Sequence, residues 1–276
     1  EAEPRVSHLV VNSTNSGSPF KQWQKGIDLA KGKYIWIAES DDWASLEFLE
    51  NTVKPLKSDD QMVLSYSQSY EVDERGKVLG LISNYIYFTD NRRWLQDFEN
   101  SGTNEISRYL LNLATIPNAS AVVFRKDTIK LISNRYTEMK FCGDWQVWVE
   151  LLQHGKITFC SIPMNYFRSH NASTRVLDNP EKRKLRLREE ISIAEYIDQM
   201  LPGIETIPKR LRSLNNQYLT CFKETFLIPH LVIKNTDPLI NRSSVLTYFI
   251  YKPWWLLRKT VLYLFSKITT LRKFKI

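Results

Sequence analysis

Three carboxylates, Glu39, Asp41 and Asp42, fall within four positions directly after the apolar run Tyr34-Ile35-Trp36-Ile37-Ala38. Such a run, rich in β-branched and aromatic residues, reads as a buried strand. Like charges crowded at a strand end repel one another unless a positive group answers them. A divalent cation bound to a substrate phosphate would do so, since Mg²⁺ is commonly held by one or two carboxylates plus substrate phosphates. Oxygen ligands suit Mg²⁺ or Mn²⁺ rather than a soft metal. The plainer reading is a solvated acidic turn, with Asp42 or Ser45 capping the next helix. A further carboxylate, Asp144, follows Gly143 at the start of an apolar-striped segment. It reads either as a helix cap or as a positioned general base.

The elements that must position these groups alternate. Residues 6–12 read as a strand, 13–19 as a polar loop and 20–30 as a helix with Phe20, Trp23, Ile27 and Ala30 on one stripe. Residues 34–38 read as a second strand, 46–56 as a helix and 62–67 as a third strand. Strands alternating with helices predict βαβ units and a mostly parallel sheet. Ligands of such sheets sit beyond the carboxyl ends of the strands. Glu39, Asp41 and Asp42 fall at that end of the second strand. Further on, residues 73–77 read as a turn, 104–114 as a helix, 119–125 as a short buried strand and 127–133 as a helix. Residues 144–154 form a helical pattern striped by Trp145, Trp148, Val149 and Leu152, and 157–160 and 164–167 read as closing strands.

The chain has 276 residues, 43% of them hydrophobic and 25% charged, as in an ordinary soluble globule. Cys142, Cys160 and Cys221 show no metal spacing, which predicts a reducing compartment and a packing role. No apolar run reaches the roughly 18 residues of a membrane span, and no N-terminal signal pattern is seen. The chain opens on Glu1 rather than Met, so the natural protein is expected to begin upstream. Turn residues cluster at 171–180 and predict a boundary between a domain at 1–175 and a helical extension at 176–276. Within the extension, residues 181–200 read as one long helix.

The ordered segments resemble a known family. Asn15-Ser16-Gly17-Ser18, then Gly26-Ile27-Asp28-Leu29-Ala30-Lys31-Gly32-Lys33-Tyr34-Ile35, then Glu39-Ser40-Asp41-Asp42, resemble the core of a glycosyltransferase family 2 enzyme of GT-A fold. Asn118 to Arg125 resembles its acceptor-side strand, and Gly143-Asp144-Trp145-Gln146-Val147-Trp148 the segment holding its base. Tyr166-Phe167-Arg168-Ser169-His170-Asn171 resembles its closing Arg-x-His motif. The resemblance covers roughly residues 6–175. It implies an α/β, Rossmann-like sheet of GT-A type flanked by helices. The family's first nucleotide-binding strand has no counterpart before Val6, so the sheet is expected to be incomplete at the N-terminus. The family's Arg-Asn pair is replaced by Gln24-Lys25 before Gly26.

What the resemblance implies is inverting transfer of a sugar from a nucleotide-diphosphate donor to a hydroxyl acceptor in surface polysaccharide or glycolipid synthesis. Glu39 and Asp41 would form its DxD-type pair, with Asp41 the strongest metal ligand, Asp42 an alternative ligand and His170 a further one. Asn15, Gly17 and Arg168 would contact the nucleotide or diphosphate, and Asp144 would be the base. The cofactor would be Mn²⁺ or Mg²⁺. Read as residues alone, Asn15 and Gly17 equally make a turn, His170 a structural histidine, and Trp145 and Trp148 either core or a face for a sugar.

The net charge of +8 is concentrated at the C-terminus, where no Asp or Glu follows Asp237. Arg242, Lys252, Arg258, Lys259, Lys267, Arg272, Lys273 and Lys275 interleave there with Trp254, Trp255 and aliphatic residues. This pattern describes a helix on an anionic membrane surface; the alternative is a helix packed on the first domain. The expected placement is cytoplasmic, peripheral on the inner face of the plasma membrane, with a saccharide or lipid-linked saccharide as acceptor. No nucleic-acid motif is visible. The competing reading is a non-catalytic nucleotide- or sugar-binding module, or a membrane-surface scaffold, that keeps the fold.

Overall fold

A computed structural model describes residues 5–86, 88–169, 177 and 179–223. The boundary cluster at 171–176, His170 and the basic tail lie outside the described residues. The chain divides into two compact units, Glu1–Leu177 with Tyr196–Ile204, and Asp178–Glu195 with Glu205–Ile276. Among the described residues no helix is long and apolar enough to cross a membrane.

The first unit is built on a sheet of seven strands: β1 (Tyr34–Trp36), β2 (Trp43–Ala44), β3 (Met62–Val72), β4 (Val78–Leu81), β5 (Phe98–Ser101), β6 (Val122–Arg125) and β7 (Lys156–Arg168). The strand order is β1-β6-β3-β7-β2, with β4 added to β3 and β5 to β7. The sheet is mixed, not mostly parallel: the β3–β7 ladder is parallel and the other five pairings are antiparallel. Strand β6 lies between β1 and β3 and runs antiparallel to both. Strands β1, β3 and β7 nevertheless share one direction, and the acidic residues leave the sheet at the carboxyl end of β1.

Helix α1 (Pro19–Leu29) starts on Ser18, whose hydroxyl accepts the Phe20 amide, with proline in its first turn. It buries Phe20, Trp23 and Ile27, the stripe read from spacing. Helix α2 (Phe48–Ser58) buries Phe48 and Leu56 against Met62, Val123 and Met164 of β3, β6 and β7. Its cap position is Glu47, so neither Asp42 nor Ser45 serves as the helix cap. Short helices α3 (Gly102–Glu105) and α4 (Lys126–Ile129) follow, and α5 (Gly143–Leu152) carries Asp144 in its first turn. Residues 106–110 continue α3 as a single π turn, where an α-helix is predicted.

Residues 6–12 are not a strand. Val6, Leu9, Val10 and Val11 are exposed and pair with no strand. An alternating apolar pattern needs a neighbour to bury against, and β1 has none on its outer edge among the described residues. The two short closing strands predicted from sequence are one, β7, carried past Pro163 by irregular register against β3. Helix α6 (Pro180–Met200) is the long helix expected at 181–200, and α7 (Ile207–Lys223) follows it. Glu190 accepts from Arg186 Nε at 3.1 Å and Arg210 Nη2 at 3.0 Å.

Gly102 marks a close approach. Its amide donates to Gly155 O at 2.8 Å. A Cβ there would lie 1.7 Å from Leu152 O and 2.5 Å from Gly155 O. Both obstacles are backbone, so nothing can swing aside. Gly102→Ala is expected to destabilise the fold by about 3 kcal/mol, read as a lower urea midpoint at unchanged slope.

Candidate functional site

At the carboxyl end of β1 the chain turns sharply. The Asp42 amide donates to Glu39 O at 3.2 Å, closing a turn that holds all three carboxylates. The Glu39 amide donates to Ser120 Oγ at 3.1 Å, which anchors the turn to the segment entering β6. From the other side comes Arg168, at the end of β7. Its amide donates to Asp42 Oδ1 at 2.9 Å, and its Nε donates to Asp41 O at 3.0 Å. Its Nη1 reaches Glu74 O at 2.6 Å and Asp73 O at 3.3 Å in the turn between β3 and β4. The guanidinium also lies over Trp43, 5.0 Å from the ring centroid, and Trp43 stacks on Tyr166.

A cavity of about 820 Å³ opens beside this turn. Glu39, Asp41 and Arg168 line it, and Asp144, Lys140 and Phe141 also border it. The α1 residues Phe20, Gln22 and Trp23, and β1 itself, form further walls. Asp42 is not among the lining residues, and its Oδ1 accepts the Arg168 amide. The structure therefore brings Glu39, Asp41, Arg168 and Asp144 to one concavity.

Asp144 sits one position inside α5, whose cap position is Cys142. Its Oδ1 accepts the Trp145 amide at 2.8 Å. A carboxylate in the first turn complements the positive end of the helix. Aromatic packing fixes that helix. Phe20 and Trp23 meet edge to face at 5.1 Å, Trp23 lies 6.1 Å from Trp148, and Trp148 lies 5.9 Å from Phe124 of β6. Gly143 is required, because a Cβ there would fall 2.4 Å from the Phe20 ring. Trp148 is fully buried, and Trp145 donates its indole N–H to Leu110 O at 2.8 Å. Both tryptophans are therefore core, and neither offers a face to a sugar.

Asn15 and Gly17 lie elsewhere. Asn15 Oδ1 accepts the Gly17 amide at 2.8 Å, and Gly17 has φ of 74°, a turn that glycine adopts without strain. Asn15 borders a separate polar hollow with Asn12 and Gln22, and Gln22 also faces the large cavity.

Among the described residues no group of three or more His, Cys, Asp and Glu is arranged to hold a metal ion. Glu39 and Asp41 still fit a hard cation that draws its remaining ligands from phosphate oxygens and water. The residues that spacing did not single out are Ser120, Asn165 and Lys140. The first two are polar side chains buried beside strands, a signal that they make hydrogen bonds.

The family model "Glycosyl transferase family 2" matches residues 3–127, which include α1, β1 and the acidic turn. This segment is similar to glycosyl transferase family 2. The mixed sheet with flanking helices is the GT-A arrangement. Among solved structures, S. aureus TarS 1-349 is 14% identical with a TM-score of 0.49, over 79% of this chain and 56% of that one. A longer TarS structure is 14% identical with a TM-score of 0.46, over 76% and 32%. The chain thus spans about half the length of TarS 1-349. No curated protein matches the chain.

Two predictions come from this geometry. Arg168→Met removes the clamp on the Asp73 and Glu74 carbonyls. Tryptic cleavage after Arg75 and Lys77 in that turn is expected to accelerate about ten-fold, the equivalent of about 1.4 kcal/mol of easier opening. Tyr136 donates its hydroxyl to Gln24 of the cavity's α1 wall. Burial, with Asp28 and Glu150 nearby, pushes its phenol up to about 12. An unfolded tyrosine ionises near about 10. Between those values the folded chain keeps a proton the unfolded chain has lost, so stability falls as pH rises through the window. Denaturant titrations from pH 9.5 to 11.5 are expected to show a shallower fall for Tyr136→Phe.

Proposed function

We propose that the chain is an inverting glycosyltransferase acting on a nucleotide-diphosphate sugar, with Asp144 as general base and Glu39 and Asp41 on the diphosphate side. The observation that carries this reading is the cavity shared by Glu39, Asp41 and Asp144 next to the family 2 segment. Sugar transfer proceeds through an oxocarbenium-like transition state, as glycoside hydrolysis does. The acceptor oxygen forms a bond to the anomeric carbon as the bond to the diphosphate breaks. The acceptor proton passes to an Asp144 carboxylate oxygen, and the nucleoside diphosphate leaves. Displacement from the opposite face inverts the anomeric centre.

Glu39 and Asp41 would hold Mn²⁺ or Mg²⁺ together with the donor diphosphate. When bound, the cation neutralises charge that grows on the leaving group. Asp42 fixes the turn by holding the Arg168 amide rather than by facing the cavity. Arg168 braces the same turn through backbone carbonyls and presents positive charge to the cavity. His170 is a further candidate ligand by sequence. The acceptor is proposed to be a saccharide, free or lipid-linked, in surface polysaccharide or glycolipid synthesis. The cationic, tryptophan-bearing tail would bring the enzyme to an anionic membrane on its cytoplasmic face.

The test is transfer or donor hydrolysis by the full chain across a panel of nucleotide sugars, with and without Mn²⁺. Asp144→Asn is expected to lower kcat about 10³-fold with little change in donor KM, as loss of a general base does. Asp41→Asn is expected to lower activity and raise the Mn²⁺ requirement. Parent-level turnover by Asp144→Asn would remove Asp144 from its role.

A further inference from the structure

The acidic turn rests on a buried polar network whose members reach no solvent. Ser120 is 1% exposed, Asn118 1% and Asn165 0%. The Ser120 carbonyl accepts from Trp36 Nε1 at 2.7 Å and from Asn165 Nδ2 at 2.9 Å, which uses both lone pairs. The Ser120 amide donates to Asn118 Oδ1 at 3.0 Å. Asn118 Nδ2 donates to Asn165 Oδ1 at 2.6 Å. Ser120 Oγ is left to accept the Glu39 amide. The neighbouring Ala119 lines the cavity, as do Trp36 and Glu39, so the network adjoins it.

We propose that Ser120 is a positioning residue for the acidic turn, with Asn118 and Asn165 holding it in place. The inference rests on the reading of Glu39 and Asp41 as the carboxylates of the diphosphate side. Burying polar side chains costs free energy unless each is satisfied, and an apolar set of the same shape packs as well or better. What an apolar set cannot supply is an acceptor under the Glu39 amide. That amide sets the backbone from which the Glu39 side chain departs, and Asp41 is two residues further along the same turn. Displacement of such groups by about 1 Å costs on the order of 10²-fold in function. The network joins β1 through Trp36, the entry to β6 through Ser120, and β7 through Asn165, so the turn is referenced to three strands at once.

The experiment measures free Mn²⁺ by electron paramagnetic resonance as the full chain is titrated with Mn²⁺ and inorganic pyrophosphate, a probe that carries the diphosphate and no base. Ser120→Ala is expected to weaken binding about ten-fold. Its melting temperature should fall by no more than ~4 °C, the equivalent of one lost hydrogen bond. Ser120→Cys, with a weaker acceptor of similar shape, is expected to fall between the two. In the Glu39→Gln background, Ser120→Ala should add less than two-fold, because the carboxylate on the residue it holds is gone. Parent-like binding by Ser120→Ala overturns the proposal. So does a loss that repeats in full in the Glu39→Gln background, which marks a general structural effect. Parent-like binding by Asp41→Asn overturns the diphosphate reading itself, and this inference with it.

Discussion

Carboxylates crowded at one strand end stay crowded only if their backbone cannot relax away. Mutual repulsion among Glu39, Asp41 and Asp42 favours opening the turn, and side-chain freedom favours it further. The opposing hold is made of hydrogen bonds to backbone. Ser120 takes the Glu39 amide, Arg168 takes the Asp41 carbonyl, and Asp42 spends a carboxylate oxygen on the Arg168 amide. The last bond matters twice. It turns one negative charge out of the cavity lining, and it makes the turn and the end of β7 grip each other. Two carboxylates rather than three then face the concavity, a number suited to a cation that shares its coordination with phosphate.

Asp144 is secured by different physics. Its helix is held by ring packing through Phe20, Trp23, Trp148 and Phe124, and by the absence of a side chain at Gly143. Aromatic contacts of this kind are large and stiff, and they transmit little charge. One border of the cavity is thus fixed by polar bonds and another by apolar packing. A substitution in the Phe20–Trp148 stack would displace Asp144 and leave the acidic turn alone. A substitution at Ser120 or Arg168 would do the reverse. Such separation would let the proposed base and the proposed diphosphate side be tuned independently.

Much of this was legible from residue types. The α1 stripe, the buried β1 and β3 and the acidic turn at a strand end follow from periodicity and like-charge crowding. Asp144 in the first turn of a helix follows from the Gly143-Asp144 start. The strand directions were not legible. An apolar run has the same pattern whichever way its neighbour runs, and β6 is antiparallel to both of its neighbours. Residues 6–12 show the same limit from the other side. Their pattern is that of a strand, but a pattern supplies no partner, and the segment stays exposed. The short β4 and β5 carry too few residues for any period to register.

The role of Arg168 was the hardest to read, because its partners are carbonyls that every residue possesses. A guanidinium near three carboxylates invites an ion-pair reading. The geometry instead spends Nε and Nη1 on Asp41, Asp73 and Glu74 backbone oxygens. A bond to a carbonyl does not neutralise a carboxylate, whereas bidentate pairing with Asp41 would. The same argument applies beside the cavity, where Ser120 binds the amide of Glu39 and not its side chain. Supporting residues that hold only main-chain groups can fix where two carboxylates sit without competing for what they bind.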